Sequence, residues 1–155
     1  MATIRIGLIS DTHGLLRPEA MQALQGVDRI IHAGDIGNSH ILDQLNDIAP
    51  VIAVRGNNDH GTWADAVRNE ETFEAGSAIL HVLHDVKELT LDLKSAGIDV
   101  VIAGHSHRPS ITTQDDVLYV NPGSAGPRRF KLPISLAFLE ITEGNVKAVI
   151  EVLNL

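Results

Sequence analysis

Four short polar clusters hold the residue types in this chain that could do hydrolytic chemistry. They are Asp11-Thr12-His13, Gly34-Asp35, Gly56-Asn57-Asn58-Asp59 and Gly104-His105-Ser106-His107. Asp, His and Asn are oxygen and nitrogen ligands suited to borderline divalent cations. Asp11 and His13 are separated by one residue, as are His105 and His107, so each pair can point one way off a loop. Asp35 is the candidate bridging carboxylate, because Gly34 and Gly37 leave its backbone uncrowded. Asn57 offers a neutral amide oxygen that could complete a shell. Two cations roughly 3.5–4 Å apart can clamp the attacking and leaving oxygens of a phosphoryl group. A two-metal hydrolytic site is the chemistry these residues suggest.

Each cluster also has a plainer reading. An Asp-x-His is common by chance, Gly34-Asp35 could make an Asx turn, and Gly56-Asn57 could be an ordinary turn. Two histidines directly after a buried strand are harder to explain by packing. All four clusters follow apolar runs: Ile4 to Ile9, Arg29 to Ile31, Val51 to Val54 and Val100 to Ala103. Neighbouring strand ends of an α/β sheet converge on one crevice, so distant residues can meet there. Metal binding is the favoured reading.

The elements that must position these clusters follow from punctuation. Strand one spans about Ile4 to Ser10, and Pro18 opens a helix through Gln25 that Gly26 closes. A strand from Arg29 to Ala33 precedes a helix that Ser39 caps and that runs to about Ile48. Pro50 ends it, and Val51 to Val54 is the third strand. This alternation predicts right-handed βαβ units and parallel pairing. Thr72 to Ala75 and Ala78 to Leu83 read as strands joined at Gly76-Ser77. A helix is expected from about Lys87 to Ala96, ended by Gly97, then a buried strand over Asp99 to Ala103. The remainder is mostly β: Ile111 to Gln114, Val117 to Asn121, Ile134 to Ile141 and Val146 to Val152, with a turn at Glu143-Gly144-Asn145. The Pro/Gly-rich piece from Pro122 to Pro133 reads as a loop. So many strands with helices at both ends favour two packed sheets flanked by helices.

Composition narrows the function classes. At 155 residues the chain fits a single domain over 1–155 with a proper core. Its five aromatic residues make that core aliphatic. The absence of cysteine removes disulfides, thiolate metal sites and thiol nucleophiles together. A net charge of −8 counts against a broad nucleic-acid or anionic-lipid surface. It leaves room for an anionic substrate, since bound cations would dominate the local field. No run reaches the length of a membrane span, and the N-terminal residues lack a signal-peptide pattern. The expectation is a cytoplasmic protein.

In their order and spacing the clusters resemble the calcineurin-like metallophosphoesterase superfamily, and most closely its small YfcE-like phosphodiesterase branch. Asp11-x-His13, Gly34-Asp35, Gly56-Asn57 and Gly104-His105-x-His107 fall in family order. Asn121-Pro122-Gly123-Ser124, followed by Pro127-Arg128, is similar to the tail of the same branch. The resemblance implies a four-layer α-β-β-α sandwich, an α/β (α+β) fold with two mixed sheets flanked by helices. It implies that Asp11, His13 and His107 hold one metal and that Asn57, His84 and His105 hold the other, with Asp35 between them. His84 enters only through this resemblance; alone it could be a satisfied surface histidine. Manganese is the first choice of metal, with iron, zinc, cobalt and nickel also compatible.

Two departures stand out. The family usually has His-Gly where this chain has His84-Asp85, which bears on local loop shape. Many members carry a histidine after the metal-binding asparagine to protonate the leaving oxygen. Here that position is Asn58, whose amide is no useful acid at neutral pH. Asp59 or His60 could partly substitute, or serve as turn residues. The expected mechanism is in-line attack on phosphorus by a metal-activated hydroxide, without strong general-acid help and favouring good leaving groups. Arg128 and Arg129 could face the substrate phosphate bidentately, or form a solvated loop pair. His32 reads as a packed, hydrogen-bonded histidine, while Tyr119 and Trp63 read as packing groups.

The leading expectation is therefore a phosphodiesterase acting on a small-molecule phosphate ester with two divalent cations. A non-catalytic binding scaffold is the alternative, because a retromer subunit shares this fold and uses it for docking. A phosphomonoesterase is a third reading, although such relatives carry insertions for which this length leaves little room. Exposed edge strands near the C-terminus could support a homo-oligomer.

Overall fold

The aliphatic runs become strands, and their pairing brings the polar clusters together. The computed structural model describes residues 2–155, and among these the chain forms two five-stranded sheets. The elements in chain order are β1 (Ile4–Ile9), α1 (Pro18–Ala23), β2 (Arg29–His32), α2 (Ser39–Asn46), β3 (Val51–Ala53), α3 (Thr62–Asp65), β4 (Glu70–Ala75) and β5 (Ala78–Leu83). A 3-10 turn (Val86–Glu88), α4 (Leu93–Ala96), β6 (Val100–Ile102), β7 (Ser110–Gln114), β8 (Val117–Asn121), β9 (Ser135–Thr142) and β10 (Asn145–Val152) complete them. The first sheet has the order β10-β9-β1-β2-β3 and the second β4-β5-β6-β8-β7.

Both sheets are mixed, with a parallel centre and antiparallel edges. In the first, β1 pairs parallel with β2 and β2 with β3, while β9 runs antiparallel to β1. Ile9 is level with His32, and His32 with Ala53, so the three downstream ends coincide. In the second, β5, β6 and β8 are parallel, with Val82 level with Ile102 and Ile102 with Val120. A strand end is where a parallel pair leaves its last backbone groups free, which is why loops gather there.

Three apolar layers follow from the two-residue period of the strands. Ile6, Leu8 and Ile31 of the first sheet meet Leu80, Val82 and Ile102 of the second between the sheets. On the outer face of the first sheet, Ile9, Ile30 and Phe138 pack against Leu24 of α1 and Leu45 of α2. A smaller cluster of Leu83, Val101 and Val117 with Leu89 and Leu93 covers the outer face of the second. Fully burying such a side chain contributes roughly 1.5–3 kcal/mol. The arrangement is an α-β-β-α sandwich whose second helical layer is thin. No helix of the described residues is long and apolar enough to cross a membrane.

Two expectations are corrected here. The helix expected over Lys87 to Ala96 is instead the 3-10 turn and the one-turn α4. Asp85 accepts from the Lys87 N–H and Asp92 from the Ser95 N–H, so two local caps compete with one continuous helix. Extended Leu89 lies between them. Ser39 is the first residue of α2 rather than its cap; Asn38 holds the cap position without a side-chain bond.

Candidate metal centre

The loops that follow β1 and β2 are laced together by backbone bonds. Asp11 N–H donates to Gly34 C=O at 3.0 Å, His13 N–H to Asp35 C=O at 2.9 Å, and Gly14 N–H to Ile36 C=O at 2.8 Å. Running this ladder past the strands requires unusual backbone. Asp11, His13 and Asp35 have φ of 55°, 46° and 55°, and His105 and His107 have 71° and 63°. Asp and His enter this left-handed region more readily than most residues, yet each such conformation still costs about 1 kcal/mol or more. Five candidate ligands sharing that strain mark the loops as shaped by their side chains.

Glycine allows the sheets to close over the centre. A Cβ on Gly34 would lie 2.6 Å from His84 Nδ1, and one on Gly104 would collide with the Ser10 hydroxyl. The two glycines therefore set how closely β5 approaches β2 and β6 approaches β1.

The side chains form two adjacent groups. In each of the sets Asp11, His13, His107 and Asp35, His84, His105, the ligand atoms lie within 4.8 Å of one another. Asp11 Oδ1 is 3.4 Å from His107 Nε2 and 3.8 Å from His13 Nε2. Asp35 Oδ2 stands between the groups, 3.6 Å from His13 Nε2 and 3.3 Å from His84 Nε2. Asn57 lies beside the second group, on a cleft that His84, His105 and Arg55 also line. Asp11, Asp35, His84 and His107 are buried, whereas His105 is 45% exposed, so the centre opens on that side.

Hydrogen bonds fix the orientation of these groups. Asp11 Oδ2 accepts from the Ser10 hydroxyl at 2.8 Å and from His105 N–H at 3.1 Å, which turns Oδ1 toward the imidazoles. Asp35 Oδ1 accepts from Asn58 N–H at 2.9 Å and Oδ2 from Asn58 Nδ2 at 3.0 Å. His84 Nδ1–H donates to Ala33 C=O at 2.8 Å, leaving Nε2 to face Asp35. A histidine held by one nitrogen to a carbonyl presents the other for coordination. Burial alone would push the Asp35 carboxyl up, but His84 and Asn58 hold it well below the usual range. Burial would likewise push His84 down, but the carboxylates of Asp35 and Asp11 together with Ala33 C=O raise it.

The remaining candidates have other partners. Asp59 Oδ2 accepts from the N–H of Ile36 at 3.1 Å and of Gly56 at 2.9 Å, and Oδ1 from Gly37 at 3.0 Å. With three backbone donors on a buried carboxylate, Asp59 is a clamp between loops and poorly placed to give up a proton, contrary to the acid role considered for it. Asn58 is engaged on Asp35. Arg128 donates to Leu132 C=O within its own loop at 3.2 Å, which is the solvated-loop reading of that residue. His32 is fully buried. Its Nδ1 accepts from Gly34 N–H at 3.1 Å, so Nε2–H donates to Thr12 Oγ1 at 2.9 Å, whose hydroxyl donates on to Ile36 C=O at 2.8 Å. Asn121 Nδ2 donates to Gly104 C=O, and the Ser124 hydroxyl to Asp11 C=O. Sequence reading missed the supporting roles of Ser10, Thr12, Asn121 and Ser124; their proximity to the clusters was the only signal.

The donor set fits divalent cations. Asp11 Oδ1, His13 Nε2 and His107 Nδ1 are buried and have no hydrogen-bond partner. Unpaired buried polar atoms are rare and call for an unmodelled ion or water. Carboxylate oxygens and imidazole nitrogens converging at this spacing make a mixed N/O shell for such ions.

Comparison with known proteins agrees with that chemistry. The profile described as "Calcineurin-like phosphoesterase superfamily domain" matches residues 4–144. The chain is 39% identical over 135 residues to a protein of Methanocaldococcus jannaschii named "Probable metallophosphoesterase", covering 79% of this chain and 68% of that one. It is 30% identical over 139 residues to a phosphodiesterase of the same organism, covering 77% and 83%. Among solved structures, Vps29 of Chaetomium thermophilum superposes with a TM-score of 0.78 over 96% of each chain at 19% identity, a likeness of fold.

Proposed function

The chain belongs to the calcineurin-like phosphoesterase superfamily, and from that premise we propose that it hydrolyses small phosphodiesters at a centre for two divalent cations. Asp11, His13 and His107 would hold one ion, Asn57, His84 and His105 the other, and Asp35 would be shared. Manganese is the first candidate, by the family resemblance. Such ions supply Lewis acidity toward water and toward phosphoryl oxygens. The observation that carries this reading is Asp35 Oδ2, at 3.6 Å from one group's imidazole and 3.3 Å from the other's.

The chain's own groups bias the choice of substrate. Asn58 gives both of its donors to Asp35, so no acid stands beside the leaving oxygen. Departure without a proton favours leaving groups of low pKa, such as phenolates. The cleft beside the second group is lined by Arg55 but also by Glu70, Asp85 and Glu88. Those carboxylates repel a dianionic monoester more strongly than a monoanionic diester. The cleft therefore favours diesters.

Hydrolysis of bis-p-nitrophenyl phosphate and of p-nitrophenyl phosphate, by chelator-stripped and manganese-reconstituted protein, tests the proposal. Metal-stimulated turnover with the diester faster is expected. A faster monoester would indicate a phosphomonoesterase. No stimulated turnover of either would leave the docking role as the better reading of this fold.

A further inference from the structure

The position where this chain departs from the family's His-Gly pattern holds a carboxylate beside a candidate ligand. Asp85 Oδ2 lies 3.8 Å from His105 Nε2. On the other edge of the same ring, His105 Nδ1 lies 3.3 Å from His84 Nε2. The imidazole thus spans from the second group to the Asp85 carboxylate.

Asp85 is itself fixed. Its Oδ1 accepts from Lys87 N–H at 3.1 Å as the cap of the 3-10 turn, which leaves Oδ2 free. Gly104 N–H donates to His84 C=O at 3.0 Å and joins the Asp85 loop to the His105 loop. His105 has little else to orient it, because it is the most exposed member of the second group. An exposed imidazole without a partner exchanges between its two tautomers, only one of which presents a lone pair on Nδ1.

We propose that Asp85 is a positioning residue that keeps the neutral His105 proton on Nε2 and presents Nδ1 to a cation in the second group. Carboxylate–histidine–metal arrangements of this kind raise ligand basicity and fix ring orientation. The inference rests on the second group being a cation site. It assigns this chain a control over second-site affinity that a glycine could not exert.

Two measurements test it on the full chain. In metal-free protein in alkaline buffer, nitrogen NMR of labelled imidazoles should show His105 protonated on Nε2. Asp85→Asn should shift it toward the mixed tautomers of a free imidazole, and Asp85→Glu should restore the native state in part. Calorimetric titration with manganese should then show the second cation bound about 10–100-fold more weakly in Asp85→Asn, with the first unchanged. Asp85→Ser keeps an oxygen acceptor for the 3-10 turn while removing the carboxylate, so it should behave like Asp85→Asn if charge rather than the cap matters. An unchanged His105 tautomer in both variants would overturn the proposal. Wild-type protein binding a single cation would instead overturn the two-cation reading, while the tautomer result would still decide the role of Asp85.

Discussion

Asn58 determines the proton inventory of the centre. Its backbone N–H and side-chain amide both donate to Asp35, one to each carboxylate oxygen. This bidentate hold keeps the shared carboxylate in one orientation, a task a histidine at the same position could not perform with the same two donors. The chain exchanges a proton donor for a rigid bridge. That exchange should appear in the dependence of rate on leaving-group pKa across a series of aryl methyl phosphates. The native protein should show a steep dependence, because the departing oxygen carries its charge unaided. Asn58→His should flatten it by restoring part of the roughly 10²–10⁴-fold that a positioned acid contributes. The gain should fall mainly on the poorest leaving groups. Equal slopes for the two proteins would show that residue 58 does not control protonation.

At the scale of elements, the strands were legible because apolar runs and glycine or proline punctuation are local signals. β1, β5 and β8 lie within a residue or so of the ranges expected from sequence. The clusters at the strand ends were legible for the same reason, since Asp and His after a buried run stand out. His84 was not, because its place in the centre depends on β5 pairing across the sandwich from β2, a long-range fact that no local spacing encodes. The split helix after β5 was also hidden, since Asp85 and Asp92 look like ordinary helix-face residues until their cap bonds are seen. His32 shows what an element contributes beneath the site. Burial pushes its imidazole down to about 4, against an ordinary 6.5. Between those values the unfolded chain binds a proton that the native chain refuses. The neutral ring's contribution is therefore fully present above about pH 6.5 and is lost as pH falls toward 4. The loss from this group is about 3 kcal/mol. Urea unfolding at pH 7 and pH 5 should show wild-type stability falling further than that of His32→Gln. Equal losses would mean that His32 is protonated in the folded chain.

The whole molecule is two sheets whose downstream ends meet over one centre, and each group draws side chains from both sheets. Asp11 and His13 follow β1 of the first sheet, while His107 follows β6 of the second. Asp35 follows β2 of the first, while His84 and His105 follow β5 and β6 of the second. A cation in either group would therefore join the sheets rather than stiffen a single loop, and the unfolded chain has no such site to offer. Binding to the native state alone stabilises it by RT ln(1 + [L]/Kd), about 2.7 kcal/mol per site at 100 times Kd. For a chain of this length each kcal/mol moves Tm by roughly 2–4 °C. Saturating manganese should then raise Tm by about 5–10 °C per occupied site over protein in excess chelator, in one cooperative transition. The dependence on concentration separates one site from two. Once sites are saturated, each further tenfold in free manganese adds about 1.4 kcal/mol per site, so two coupled sites should give twice the slope of one. Scanning calorimetry across several decades of buffered manganese measures that slope directly. A flat Tm would show that the unfolded chain binds the ion as well as the native one, or that the convergent ligands hold none.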